Sequence, residues 1–304
     1  MRANFIIIVF LAIVSAHAEQ VSFSSRELGD AVQFDYVWKG EDGKPINTTF
    51  LINASDVRTG YTEFQPFKKE TYELRLLNSM QEEGKKVGQM LGVEIEIQPV
   101  KNGYNTSVRG PENRLDKALA YLDQRKPKVE EEIFKDSYYK STQRGNAIVV
   151  SPDYANIANR YSDVMYYIAE ALNKTAGSTM RSAISHYLDF IRTIPYSTQF
   201  SNKADFQTPI GMLIENKGDC DTKSIAFASL MSNFDISVIF ILLQDHMLVG
   251  MAIPAELGDA TLVIDGKVYV LAETAGPALI PLGRISDKAA QSIKSGVYST
   301  LAFK

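Results

Sequence analysis

From Cys220 to Phe234 the chain carries no proline or glycine, and Ile225, Ala226, Phe227, Ala228, Leu230 and Met231 leave the second half of the run apolar nearly all round. A helix with no polar face has to be enclosed by other elements, so this segment reads as the central helix of a packed domain. Asp219 is a good N-cap, which starts the helix at Cys220. A hydrophobic helix of this kind needs a long chain around it, and 304 residues with 45% apolar and 22% charged residues give one.

Two parts are expected around it, both α+β. In residues 19–146, Val32, Phe34, Tyr36 and Trp38 alternate with polar residues as a half-buried strand. Glu41-Asp42-Gly43-Lys44 turns the chain, and Thr49 to Ile52 returns it as a hairpin. A helix follows over Thr71 to Met90, then a strand over Val93 to Ile97. Asn102-Gly103 is a tight-turn signal leading to Tyr104–Val108. Pro111 opens a further helix with Leu115, Ala118, Leu119 and Leu122 on one face. This region has no set of catalytic residue types and reads as an accessory or substrate-presenting module. Residues 147–304 form the second domain. It begins with the apolar Ala147–Val150, followed by two amphipathic helices, one on the stripe from Tyr154 to Leu172 and one from Ala183 to Ile191, closed by Ile194-Pro195.

Residues 1–18 have the form of a cleaved leader: Arg2, an unbroken apolar run from Phe5 to Val14, then Ala16-His17-Ala18. That run falls well short of the ~20 residues a membrane-spanning helix needs. Cleavage after Ala18 would give a periplasmic or secreted protein without stable membrane insertion. The formal charge of −4, with no basic block, argues against nucleic acid as a partner.

Cys220 is the only cysteine. A single thiol in an exported protein is either a small hydrophobe or a reactive group. A place in the first helical turn favours chemistry, because the helix dipole and free N–H groups there favour a thiolate. The same donors can hold an oxyanion. Of three histidines, His17 leaves with the leader. His186 lies roughly 130° from the centre of its helix stripe, on the face expected to be solvated. His246 opens a strand after the apolar run Ile236–Leu243, and alternation puts it on one face with Leu248 and Gly250, the glycine leaving room for another chain. An orienting carboxylate could come from Asp265 or Glu273. Asp265-Gly266 is accounted for as a hairpin turn between Thr261–Ile264 and Val268–Leu271, whereas Glu273 ends an apolar strand without a structural reason, which favours Glu273. One cysteine and two histidines at unrelated spacings make no metal ligand set, and no cofactor motif is present.

The order Ile194-Pro195-Tyr196, Gly218-Asp219-Cys220-Asp221-Thr222-Lys223-Ser224, His246-Met247-Leu248-Val249-Gly250 and Tyr269-Val270-Leu271-Ala272-Glu273-Thr274 resembles bacterial transglutaminase-like domains, which are papain-related cysteine enzymes. The resemblance covers about residues 180–281, a third of the chain. It implies a buried cysteine-bearing helix packed on an antiparallel sheet, with Cys220, His246 and Glu273 as a triad. Where many members carry a second acidic residue after the cysteine, this chain has Thr222. The implied activity is amide hydrolysis or acyl transfer on a protein or peptide through a thioester. Tyr196 or Gln199 would supply a second oxyanion or substrate contact. Noncatalytic members imply an alternative, a binding or scaffold module of the cell envelope.

Overall fold

The computed structural model describes residues 19–40, 43–101, 103–145, 147–201, 206–276 and 280–303. The leader with its cleavage after Ala18, and the turn residues Glu41, Asp42 and Asn102, lie outside them.

The molecule is α+β with antiparallel sheets. β1 (Glu19–Leu28), β2 (Ala31–Lys39) and β3 (Pro45–Asn53) form one sheet in that order. Every second residue of β2 is buried, and Phe34 lies opposite Phe50, so the expected hairpin is in register. α1 (Ala54–Thr62) leads to a unit built of α2 (Lys69–Leu91), β4 (Glu94–Val100), β5 (Gly103–Arg109) and α3 (Glu112–Asp136). Gly92, at φ +63°, ends α2 in the left-handed conformation that only glycine adopts freely. This unit has its own small core of Leu76, Met80, Val87, Ile97, Leu122 and Val129. A two-stranded ribbon, β6 (Tyr139–Arg144) and β7 (Ala147–Pro152), then feeds α4 (Tyr154–Asn173) and α5 (Met180–Thr193).

After α6 (Pro209–Glu215) comes α7 (Cys220–Met231), buried throughout from Thr222 to Met231. The remaining strands β8 (Val238–Leu242), β9 (Met247–Met251), β10 (Thr261–Ile264), β11 (Lys267–Ala272) and, after α8 (Asp287–Lys294), β12 (Ser299–Ala302) make a sheet ordered β10-β11-β9-β8-β12. α7 packs on one face of this sheet, in a core shared with Phe240, Met247, Val249, Val270 and Ala272. Helices α4, α5 and α6 close its other sides. Ile225, Phe227, Leu230 and Met231 have no exposed surface, and each contributes about 1.5–3 kcal/mol by burial. An N-cap contributes only about 1 kcal/mol, so packing holds the helix and the cap chooses where it starts.

The division expected before residue 147 falls between β6 and β7, which pair with each other, and the main core runs across it. Tyr36 and Trp38 of β2 meet Phe190 of α5 edge to face, with ring centroids 5.1 and 5.9 Å apart. Gly60 of α1 lies so close to α6 that a Cβ there would sit 2.7 Å from Ile210 Cβ. The β1–β3 sheet and α1 therefore share the core of the cysteine helix, whereas the α2–α3 unit has a core of its own and the α8 face of the β8–β12 sheet a third.

His186 departs from expectation for the same reason. β2 comes down on the face of α5 that the helical pattern leaves to solvent. The imidazole is half-buried, 4.8 Å from the Trp38 ring, and bonded to the Thr175 hydroxyl. That burial lowers its pKa.

Candidate active site

The polar residues around Cys220 fasten α7 to four separate parts of the fold. Gly218 bridges Tyr196 in parallel fashion: its N–H donates to the Pro195 carbonyl at 3.0 Å, and its own carbonyl accepts from Ser197 at 3.2 Å. A Cβ on Gly218 would lie 3.0 Å from Thr222 Cγ2 and 3.2 Å from Met212 Cγ, closer than packed carbons normally approach. Asp219 accepts the Thr222 N–H at 2.8 Å, the expected N-cap. Burial pushes its carboxyl up to about 6, against the opposing pull of the Thr222 hydrogen bonds. The fully buried Thr222 hydroxyl accepts the Gln207 N–H at 2.8 Å. Lys223, also fully buried, donates to the carbonyls of Ile194 at 2.5 Å and Arg192 at 3.3 Å, closing the end of α5. Burial and the neighbouring Arg192 charge lower its pKa to about 7. Ser224 donates to the Met247 carbonyl of β9 and shares a 2.7 Å hydrogen bond with Thr274, just past β11.

These ties bring the start of α7 to the ends of β9 and β11. The Met247 N–H faces the Cys220 sulfur, and His246 directly precedes Met247. Nε2 of His246 is hydrogen-bonded to Glu273, which has 3% of its surface exposed. The other Glu273 oxygen accepts the Ser286 N–H at the cap of α8, and Arg192 Nε donates to the Glu273 carbonyl at 2.7 Å. Gly276 allows that approach, since a Cβ there would lie 2.5 Å from the Arg192 carbonyl oxygen. Asp265 sits instead in the β10–β11 turn at φ +52°, the role its Asp-Gly pair suggested. A cavity of about 300 Å³ lies beside the His246–Glu273 pair, lined among others by Leu243, Ile280, Ser286 and Ala289.

His246 directly precedes Met247 in the chain, but no hydrogen bond joins it to the thiol in this structure. The Cys220 Sγ–H instead donates to Asp221 Oδ1 at 3.3 Å, and Nδ1 of His246 has no partner among the described residues. The expected lowering of the thiol pKa is reversed. Burial, the charges of Asp221 and Asp219, and the hydrogen bond to Asp221 push Cys220 up to about 12, while the Met247 N–H pulls weakly the other way. A helix terminus contributes about 0.3–1 kcal/mol, less than one pKa unit, and two carboxylates in a half-buried first turn outweigh it.

Of the two proposed contact residues, Tyr196 is beside the thiol. Its hydroxyl pKa is raised by partial burial and then by the charges at Cys220, Asp219 and Asp221. Gln199 is exposed, its backbone is tied to Ser197, and nothing joins its side chain to Cys220. The close approach that Gly250 permits is made by the neighbouring strands, since Ile239 Cγ1 and Tyr269 Cβ lie 2.9 and 3.2 Å from where its Cβ would be. Sequence reasoning missed Tyr154, the first residue of α4. Its hydroxyl donates to Asp221 Oδ2 at 2.7 Å, reaching across 67 residues. Its place on the apolar stripe gave only a core reading.

No cluster of three or more His, Cys, Asp or Glu side chains fit to hold a metal occurs among the described residues, and none of their helices is long and apolar enough to cross a membrane. Set against protein-family models, curated proteins and solved structures, the chain matches none.

Proposed function

We propose that the protein is a transglutaminase-like cysteine hydrolase or acyltransferase that attacks an amide bond of a protein or peptide. The observation that carries this reading is the pairing of His246 Nε2 with Glu273 directly ahead of Met247, whose N–H faces Cys220. With Nε2 held by a buried carboxylate, Nδ1 is the free nitrogen of the ring. It would take the thiol proton as Sγ bonds to the carbonyl carbon, then pass that proton to the leaving amine as the C–N bond breaks. The resulting thioester would go to water, restoring the thiol and releasing a carboxylic acid, or to an amine, forming a new amide. Unpaired N–H donors of the first turn of α7 would hold the oxyanion. The location follows from the leader reading: periplasmic or secreted, after cleavage behind Ala18.

A raised thiol pKa favours a general-base route over a standing ion pair. It also favours the second reading, a noncatalytic binding or scaffold module. Release of fluorescent fragments from labelled casein, together with the iodoacetamide reaction rate of the single thiol, separates the two. Under the catalytic reading, Cys220→Ala abolishes fragment release and His246→Ala slows it by about 10²-fold or more. No casein turnover, with an alkylation profile indifferent to His246, would leave the scaffold reading standing.

A further inference from the structure

Asp221 has a place in the site that a solvated helix-start carboxylate would not have. Its two oxygens are divided: Oδ1 takes the Cys220 thiol and Oδ2 takes the Tyr154 hydroxyl. Tyr154 is itself fixed, its ring 5.7 Å from Phe206 and 6.2 Å from Phe240, and half-buried at the start of α4. The carboxylate is thus held from behind by a rigid phenol and turned towards the sulfur. Among the described residues Asp221 makes no ion pair, so no cation offsets its charge beside the thiol. The thiol S–H donates to this carboxylate, and no hydrogen bond joins the sulfur to His246.

We propose that Asp221, positioned by Tyr154, is a latch that keeps the nucleophile protonated and turned away from His246 until substrate enters. The proposal rests on the catalytic reading above and adds its regulation. At rest the S–H bond is intact and donated to the carboxylate. When a substrate carbonyl occupies the start of α7, the sulfur turns about the Cys220 side chain and presents its proton to Nδ1 of His246. The proton then moves to the imidazole as the S–C bond forms. The latch turns the sulfur and passes no proton to the carboxylate. A thiol held in this way is shielded from adventitious electrophiles, since reactivity belongs to the thiolate. The groups facing the sulfur agree with this arrangement. Tyr154 comes from α4, Asp219 and Asp221 from α7, and Tyr196 from the segment after α5. From β9 comes the Met247 N–H, one residue past His246. Apart from that N–H they are neutral or anionic, and the upward shift of the thiol has Asp221 as its largest contributor after burial.

The test is the pH profile of iodoacetamide alkylation, followed by mass spectrometry on the one thiol. Asp221→Asn keeps the shape and removes the charge. It is expected to move the alkylation midpoint down by about one unit or more, which raises the rate at neutral pH by about tenfold. Tyr154→Phe keeps the charge but frees the carboxylate to turn away, so it moves the midpoint the same way by less. Asp221→Glu restores the charge and brings the midpoint back towards the parent protein. A midpoint that stays put or rises in both Asp221→Asn and Tyr154→Phe overturns the latch, and Tyr154→Phe keeps the test open if Asp221→Asn does not fold. Failure of the catalytic reading shows separately. A downward shift in Asp221→Asn that persists unchanged with His246→Ala added, in a protein that turns over no casein, upholds the latch and removes the triad.

Discussion

Helices α7 and α3 are positioned by opposite means. α3 runs for 25 residues and buries only a stripe, chiefly Ala118, Leu122, Val129 and Ile133, against α2 and its ribbon. Its polar residues stay at the rim of that contact, as where Arg125 reaches both Glu132 and Glu83 of α2 and Lys126 lies 3.7 Å from Glu130. α7 is half as long, buried on all sides, and has no stripe to say which way it should be turned. Apolar burial fixes how deep a helix lies but is nearly indifferent to rotation when every face is apolar. For α7 the rotation comes from Thr222, Lys223 and Ser224, each bonded to a different neighbour. The residues beside the cysteine therefore aim it, and their polarity is the means.

The sharpest way to break this contrast is Thr222→Asp, which introduces a further acid two residues after the cysteine. At a position with no exposed surface it strands a carboxylate where a hydroxyl accepts one N–H. Unfolding by urea should show a loss of about 3–5 kcal/mol. Leu122→Ala in α3 should cost about 2–3 kcal/mol through transfer and cavity terms. It should leave Cys220 alkylation unchanged, because the small core it belongs to contains no residue of the site. If alkylation changes as well, the two units are coupled more tightly than their separate cores imply.

Asp219→Asn probes the cap alone. The folded carboxyl titrates at about 6, above its unfolded value, so the folded state binds its proton more tightly. The charge therefore costs stability above that pH, and the cost vanishes as pH falls below the unfolded pKa near ~3.9. Asparagine caps equally well and does not titrate. The variant should be about 1 kcal/mol more stable than the parent at neutral pH and equal to it in acid, read from urea midpoints across the pH range. The smallest effect belongs to the surface of α3. Lys126→Ala removes an exposed pair at 3.7 Å and should change the midpoint by less than about 0.5 kcal/mol.

The same contrast governs what could be read in advance. β2, α2, α4 and α5 announce themselves by period, and α7 by its cap and the absence of breakers, because these signals are local. β1 was not foreseen: nearly all of it is exposed, and it exists by pairing with β2. α6, α8 and β12 are too short to show a period. In the site, His246 and Glu273 were legible as polar residues at the ends of apolar strands. The Tyr154–Asp221 contact was not, since it depends on how α4 lies across α7. The direction of the thiol pKa was missed for a related reason. Sequence shows the helix start, but burial and the aim of a carboxylate exist only after packing.

Trp38 is the one tryptophan in the chain, and its indole lies between the Phe190 and His186 rings of α5. Its fluorescence therefore has a single origin, at the seam where the β1–β3 sheet rests on the helix whose end Lys223 closes. Emission should redden when that seam opens and dim as acid protonates His186 beside it. The protein thus carries its own optical gauge of whether the sheet and the cysteine's scaffold are joined, readable without any label.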